Sequence, residues 1–290
     1  MSTQGQSSAA LRARLSLAAH QFHYTHALGQ NFLLDEAVIA RILDAAQIQT
    51  GDRILEIGPG AGVMTVGMAQ RGARVLAVEI DQSLEPVLHD VVEANPNIHL
   101  CFADALKIDL SKEINETLGV GSFRVIANLP YYITTDILLK LIGLPVKPSK
   151  ITVMVQAEAA ERVMARPGQK SYCALAAKVQ YYGNPGVLLR LFPEAFYPNP
   201  HVESCLLQIE AHAEPIVKPA DEALFLRLID ACFAMRRKTL ANNLRASMHA
   251  TREQAEEWLG AAGLPVDVRG ESLSLQELAR LADVIAIHRA

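Results

Sequence analysis

The sequence predicts an α/β fold: a mostly parallel, helix-covered sheet with an antiparallel closing strand, followed by a small all-helical C-terminal domain. Three observations carry that expectation. Short apolar runs alternate with stretches long enough for crossover helices through the first half of the chain. A glycine-rich turn stands directly after the first of these runs, where open α/β sheets bind ligands. Beyond the segment Ala211–Ala220 the strand-like runs cease and helical patterns take over, broken by Gly-Leu-Pro and Arg-Gly-Glu.

Residues 1–25 lack a strand pattern and are expected to form an N-terminal arm. A helix follows, with Val38, Ile39, Ile42 and Leu43 on one face. The strand runs are Arg53–Ile57, Arg74–Ile80, Ile98–Phe102, Phe123–Ala127 and Ile151–Val155. The rhythm then changes. Val187–Phe192 and Val202–Glu210 are separated by a Pro-rich loop with no room for a long crossover helix, which suits an antiparallel pair closing the sheet. Ala211–Ala220 resembles a linker, and Leu224–Phe233, Thr239–Met248, Arg252–Ala262 and Leu275–Ile287 read as helices. The expected division is an arm (1–25), a sheet domain (26–211) and a helical domain (212–290).

With 290 residues, half of them hydrophobic, the chain can bury a sizeable core, so disorder throughout is excluded. No apolar run approaches the roughly 18 residues a membrane span needs, and Met1–Ala10 has no positive region before an apolar stretch. A soluble, cytoplasmic, monomeric protein is expected. Cys101, Cys173, Cys205 and Cys232 lie far apart without a C-x-x-C pair, which suggests neither a disulfide framework nor a zinc site. The only histidine cluster, His20, His23 and His26, falls in the arm, and no metal is expected there. The formal net charge of -4 confines any polyanion contact to local patches. Two candidates exist. The stretch Lys147 to Arg190 holds seven cations against Glu158 and Glu161 alone, and Arg236-Arg237-Lys238 is a second cluster. Either can also be an ordinary solvated face.

The glycine turn reads Glu56-Ile57-Gly58-Pro59-Gly60-Ala61-Gly62 and leads into a helix starting near Val63. A dinucleotide fingerprint would place its third glycine at Val63, so G-x-G-x-G leans away from a pyrophosphate ligand and from a nicotinamide-dependent oxidoreductase. A purely structural turn stays open. Glu79 closes the second strand, where a carboxylate can accept hydrogen bonds from both ribose hydroxyls of a nucleoside. Asp104 follows the third strand, placed to meet an adenine edge or simply to cap a helix. After the fourth strand stands Asn128-Leu129-Pro130-Tyr131-Tyr132. The lone pair of an adenine N6 amine is delocalised into its ring, so its reaction needs acceptors that draw on the amine hydrogens. The Asn128 side-chain oxygen and the Leu129 carbonyl fit that need. Pro130 has a fixed φ and no N–H, and can hold the turn rigid. Tyr131 offers a flat face to a base splayed out of its stack. An ordinary Pro turn with core tyrosines is the alternative.

These residues resemble the ribosomal small-subunit RNA adenine N6,N6-dimethyltransferases (KsgA/RsmA/Dim type), relatives of the erythromycin-resistance RNA methylases. The likeness runs from about Leu28 to Leu244. Its markers are Leu28-Gly29-Gln30-Asn31-Phe32-Leu33, the Gly58 turn, Glu79, Asp104, Asn128-Leu129-Pro130-Tyr131, Phe196-Tyr197-Pro198-Asn199-Pro200-His201-Val202-Glu203-Ser204 and Arg236-Arg237-Lys238-Thr239-Leu240. The resemblance implies a Rossmann-like class I methyltransferase sheet and S-adenosyl-L-methionine as methyl donor, contacted by Asn31 and Leu33 beside Gly58, Glu79, Asp104 and Asn128. It implies catalytic roles for Asn128, Leu129, Pro130 and Tyr131, with Phe196 sandwiching the target base against Tyr131. It implies two adjacent adenosines near the 3′ end of 16S ribosomal RNA as substrate, each dimethylated in the pre-30S particle, with Arg236, Arg237 and Lys238 docking the RNA. A role chiefly as an assembly checkpoint, binding that particle whether or not it methylates, is the alternative from another class. Thr25, His26, Ala157 and His201 stand where the family commonly has lysines, each removing a potential phosphate contact. Tyr172-Cys173 stands where Tyr-Gly is common.

Overall fold

The computed structural model describes residues 9–19 and 31–289. The chain divides into two compact units, Met1–Ala160 with Gly186–Glu210, and Glu161–Pro185 with Ala211–Ala290.

The first unit is built on a seven-stranded sheet of β2 (Arg53–Ile57), β3 (Arg74–Glu79), β4 (Ile98–Phe102), β5 (Arg124–Asn128), β6 (Lys150–Gln156), β7 (Gly183–Leu191) and β9 (Ser204–Ala211), in the order β4-β3-β2-β5-β6-β9-β7. β2 pairs in parallel with β3 and β5, β3 with β4 and β5 with β6, while β9 runs antiparallel to β6 from Lys150↔Glu210 to Gln156↔Ser204. β2 and β6 are buried along nearly their whole length. Strands covered on both faces read as continuous apolar runs rather than alternating ones. The chain moves outward from β2 through β3 to β4, then returns to place β5 on the other side of β2. That reversal opens a crevice at the carboxyl ends of these strands. At their opposite ends the Arg124 guanidinium, at 2.6 Å from Asp52, ties the start of β5 to the turn before β2.

α3 (Val63–Gln70) and α4 (Glu85–Glu93) fill the crossovers β2–β3 and β3–β4, and α5 (Leu110–Thr117) and α6 (Thr134–Ile142) those that follow. α2 (Glu36–Ala45) is capped by Asp35, whose carboxylate accepts from the Ala37 and Val38 N–H groups, and buries Ile39, Ile42 and Leu43. α1 (Ala9–Ala19) lies within the stretch read as an arm, yet Ala10, Ala13 and Leu17 are buried in the core of this unit. Their spacing puts them on one helical face. β1 (Phe32–Leu33) and β8 (Phe196–Tyr197) form a separate antiparallel ribbon with Phe32 opposite Tyr197 and Leu33 opposite Phe196.

α7 (Ala157–Met164) follows β6, and in the second unit α8 (Ala174–Tyr182), α9 (Glu222–Ala234), α10 (Leu240–Met248), α11 (Arg252–Ala261) and α12 (Leu275–Arg289) share one core around Phe225, Leu228, Leu244, Trp258 and Leu281. The division at residue 211 expected from sequence needs correcting: Glu161–Pro185 belongs to the helical unit, because Tyr172, Ala176 and Ala177 are buried in its core. Tyr172 is fully buried and meets Phe233 edge-to-face with centroids 5.4 Å apart; burial pushes its hydroxyl up to about 12. Cys173, which caps α8, has φ -153, extended backbone that any residue adopts, so no glycine is needed there.

Candidate active site

A cavity of about 250 Å³ opens where the turns after β2, β3, β4 and β5 converge, and every lining residue belongs to the sheet unit. The turn after β2 is glycine-dependent. Gly58, Gly60 and Gly62 all have positive φ, and a Cβ on Gly60 would stand 2.9 Å from the Phe32 ring. The main chain there approaches β1 more closely than any side chain would permit.

Glu79 closes β3 and is nearly buried. Its Oε1 accepts from the Ile80 and Asp81 N–H groups, both at 2.9 Å, and its Oε2 accepts from Gly60 N–H at 3.1 Å. Burial raises its pKa, and those three donors oppose the rise. The carboxylate thereby fixes the glycine turn, with lone-pair capacity left on Oε2.

Asp104 caps no helix, since it precedes a turn and α5 begins at Leu110 with Asp109 as its cap. It lines the cavity, and its Oδ1 accepts from Leu106 N–H at 2.9 Å. That bond, with Lys107 at 3.1 Å from Oδ2, holds its carboxyl below the usual range. Lys140 of α6 donates to the Leu106 and Ile108 carbonyls at 2.8 and 2.7 Å, pinning the loop.

At the end of β5, Asn128 Nδ2 donates to the Asn31 carbonyl at 2.8 Å, and no described residue donates to Oδ1 of this cavity-lining side chain. Pro130 holds φ -56 and ψ 132, and no described residue donates to the Leu129 carbonyl. The Tyr131 hydroxyl shares a 2.8 Å hydrogen bond with Ser204 Oγ. Burial raises the pKa of Tyr131, and Ser204 opposes the rise. Asn31, Leu33, Gly58, Glu79, Asp104, Asn128, Leu129, Pro130 and Tyr131 are therefore brought together on one cavity.

Phe196 is 3% exposed, lies in the sheet-unit core and is not among the residues lining the cavity. Side chains alternate along a strand, and in β8 Phe196 is the residue turned inward while Tyr197 is exposed. Sequence reasoning saw the acid two residues before Gly58 but gave Glu56 no role. It lines the cavity at 0% exposure, and by distance and angle no described residue donates to either carboxylate oxygen. The signal was an acid inside the otherwise apolar run Ile54-Leu55-Glu56-Ile57.

In the helical unit Arg236, Arg237 and Lys238 are exposed on the turn between α9 and α10. Arg236 donates to the Lys170 carbonyl and pairs with Glu271 at 3.3 Å. No described acid pairs with Arg237 or Lys238. Of the basic stretch from 147 to 190, Lys150, Lys178 and Arg190 pair with Glu210, Asp230 and Glu203. Leu28, Gly29 and Gln30, the substituted positions Thr25 and His26, and His20 and His23 lie outside the described residues.

A family model for ribosomal RNA adenine dimethylases matches residues 21–284. The chain belongs to that family. Ribosomal RNA small subunit methyltransferase A of Alkaliphilus oremlandii (strain OhILAs) is 41% identical over 92% of this chain and 93% of its own length. The protein of the same description from Shouchella clausii (strain KSM-K16) is 41% identical over 94% of each. Among solved structures, a dimethyladenosine transferase from Plasmodium falciparum shares the fold at TM-score 0.67 and 22% identity, over 85% of this chain and 94% of that one. The 23S rRNA methyltransferase ErmE aligns at TM-score 0.64 and 25% identity, over 88% of this chain and 100% of that one. As a member of the adenine dimethylase family the protein is a methyltransferase, and the cavity at the four strand ends is its candidate active site.

Proposed function

We propose that the protein transfers methyl groups from S-adenosyl-L-methionine to N6 of two adjacent adenosines near the 3′ end of 16S ribosomal RNA, two to each, in the pre-30S particle. The observation that carries this reading is the Asn128-Leu129-Pro130-Tyr131 turn, which lines the cavity with its amide pinned by Asn31 and its acceptors open. The small-subunit description of relatives 41% identical over more than nine-tenths of the chain supports the choice of RNA.

The lining suits the donor. It carries Glu56, Glu79 and Asp104 and, among the described residues, no Lys, Arg or His. A cationic ligand is favoured in such a cavity and an anionic pyrophosphate is not. Glu79 Oε2 can accept a ribose hydroxyl beside Gly60 N–H, and Gly58 and Gly60 let the main chain approach. When bound, the donor supplies a methyl group already activated by its sulfonium. The chain's own contribution is position. Tyr131 stacks the extruded adenine, held upright by Ser204. Asn128 Oδ1 and the Leu129 carbonyl accept the amine hydrogens and raise electron density on N6 along the line of transfer.

Incubation with labelled S-adenosyl-L-methionine and undermethylated small subunits, followed by mapping of the modified nucleotides, tests the assignment. Label on two neighbouring adenosines near the 3′ end is expected. Label elsewhere in that RNA, or only in large-subunit RNA offered in parallel, would overturn it.

A further inference from the structure

Among the large apolar side chains on the cavity wall only Ile80 and Tyr132 lie open to solvent. They belong to different ends of the site, because β2 separates the turn after β3 from the turn after β5. Ile80 follows Glu79, at the end where the reading above places the donor's ribose. Tyr132 directly follows the Asn128-Leu129-Pro130-Tyr131 turn, at the end where the methyl group leaves. It is 59% exposed while lining the cavity, which sets it at the rim. An aromatic ring left wet beside a binding site is apolar surface that a flat partner can cover.

The backbone decides how Tyr131 and Tyr132 divide the space. Tyr131–Ile133 is a single 3₁₀ turn, with the Ile133 N–H donating to the Pro130 carbonyl at 3.2 Å. With three residues per turn, neighbouring side chains diverge by about 120°. The two rings therefore cannot clamp one base between them. Tyr131 is half-buried and tied through its hydroxyl to Ser204, while Tyr132 stays exposed on the adjoining Cα, about 3.8 Å away. Two faces so placed suit two bases that are neighbours in one strand. No Lys, Arg or His lines the cavity among the described residues, so a base at this rim is held by its face and not through its phosphate.

We propose that Tyr132 is a specificity-determining residue, the stacking platform for the base next to the adenosine being methylated. Tyr131 holds the target adenine in the cavity, Tyr132 holds its neighbour at the mouth, and the site reads a dinucleotide with a purine in the second place. This rests on the reading that Tyr131 receives the extruded adenine. The platform stands on one side of the target only. Of two adjacent adenosines, one therefore depends on the other for its methylation, and the reverse dependence is absent.

Undermethylated small subunits in which each adenosine of the pair is replaced in turn by uridine or by guanosine provide the test, with kcat/KM for labelled methyl transfer read at the remaining adenosine. For one of the two placements, uridine should lower kcat/KM of the unaltered protein about tenfold, the scale of one base–aromatic stack, and guanosine should lower it much less. Tyr132→Ala should lose about tenfold on the natural pair and no more when that uridine is introduced, because both changes remove the same contact. Tyr132→Phe, which keeps the ring, should recover most of the rate, and Tyr132→Leu should not. Calorimetry with S-adenosyl-L-homocysteine checks that each variant keeps its donor site; should Tyr132→Ala lose it, the same comparison is read with Tyr132→Leu. Losses that multiply when variant and uridine are combined, or equal losses in Tyr132→Phe and Tyr132→Ala, would overturn the role of Tyr132 while leaving that of Tyr131 standing. Failure of the unaltered protein to methylate the natural pair would overturn the proposed function as well.

Discussion

The two charged surfaces proposed to carry function in this chain are built in opposite ways. Around the cavity the acids are buried or half-buried, and Glu79 and Asp104 are gripped by main-chain N–H groups. On the α9–α10 turn of the helical unit the charges are basic and exposed, and among the described residues only the Arg236 side chain is tied to neighbours. Fixed dipoles in a site shielded from water act through direction and distance, and small displacements there are expensive. Exposed cations act through number and are screened by salt. The contrast predicts large, residue-specific effects in the first region and small, additive ones in the second.

The steepest effect belongs to Asn128. In Asn128→Ala the amine loses an oriented acceptor, and methyl transfer should fall by at least about 10²-fold while donor binding persists. Single-turnover assays beside calorimetry separate the two, and equal turnover by the variant would remove Asn128 from the chemistry. The next effect is on stability. Glu56 holds its proton up to about 8 in the folded state against an ordinary value of 4.5. The folded chain thus binds more protons than the unfolded chain between those values, and stability falls as pH rises through that window. Glu56→Gln removes this titration, so its melting temperature should gain on the unaltered protein from pH 5 to pH 8. A constant difference across that range would mean that the carboxyl is ionised throughout.

Tyr131 sharpens the comparison within the cavity itself. Stacking on an aromatic face is worth about 1–3 kcal/mol per base, so Tyr131→Ala should weaken RNA use about tenfold or more. Tyr131→Phe keeps the face and loses only the Ser204 hydrogen bond, about 1 kcal/mol. Equal losses in both variants would make the hydroxyl, not the ring, the active feature. The smallest effect is expected at the basic turn. Neutralising Arg237 or Lys238 should each lower the slope of log RNA affinity against log salt by about 1. Neutralising Arg236, already paired with Glu271, should lower it less. A sharp, salt-independent loss at any of the three would show that this turn recognises shape or bases rather than phosphates.

Much of the fold was legible because its strands are bounded by turn chemistry. β2 and β4 begin and end where the apolar runs Arg53–Ile57 and Ile98–Phe102 do. The cavity was legible for the same reason: Gly58, Glu79, Asp104 and Asn128 each sit at or just beyond a strand end, and a parallel sheet gathers such ends at one edge. Where function depends on which way a side chain turns, the pattern gave no purchase. β8 is two residues long, and a shift of one residue exchanges its faces, so the inward turn of Phe196 and the exposure of Tyr197 could not be read from spacing. Membership of a core is equally hidden. Tyr172 and its neighbours precede β7 in the chain yet pack with helices that begin some fifty residues later. Glu56 was visible as a letter, but only its burial without a partner marks it as part of the site.

The central claim is that four neighbouring strand ends hold a sulfonium nucleoside and aim its methyl group at an amine accepted by Asn128. A crystal structure of the protein with S-adenosyl-L-homocysteine tests it most directly. The account predicts the ribose on Glu79, the adenine beside Asp104 and the sulfur facing the Asn128-Leu129-Pro130-Tyr131 turn. Ligand density away from the Gly60 turn, or an Asn128 amide whose oxygen is turned from the cavity, would contradict it.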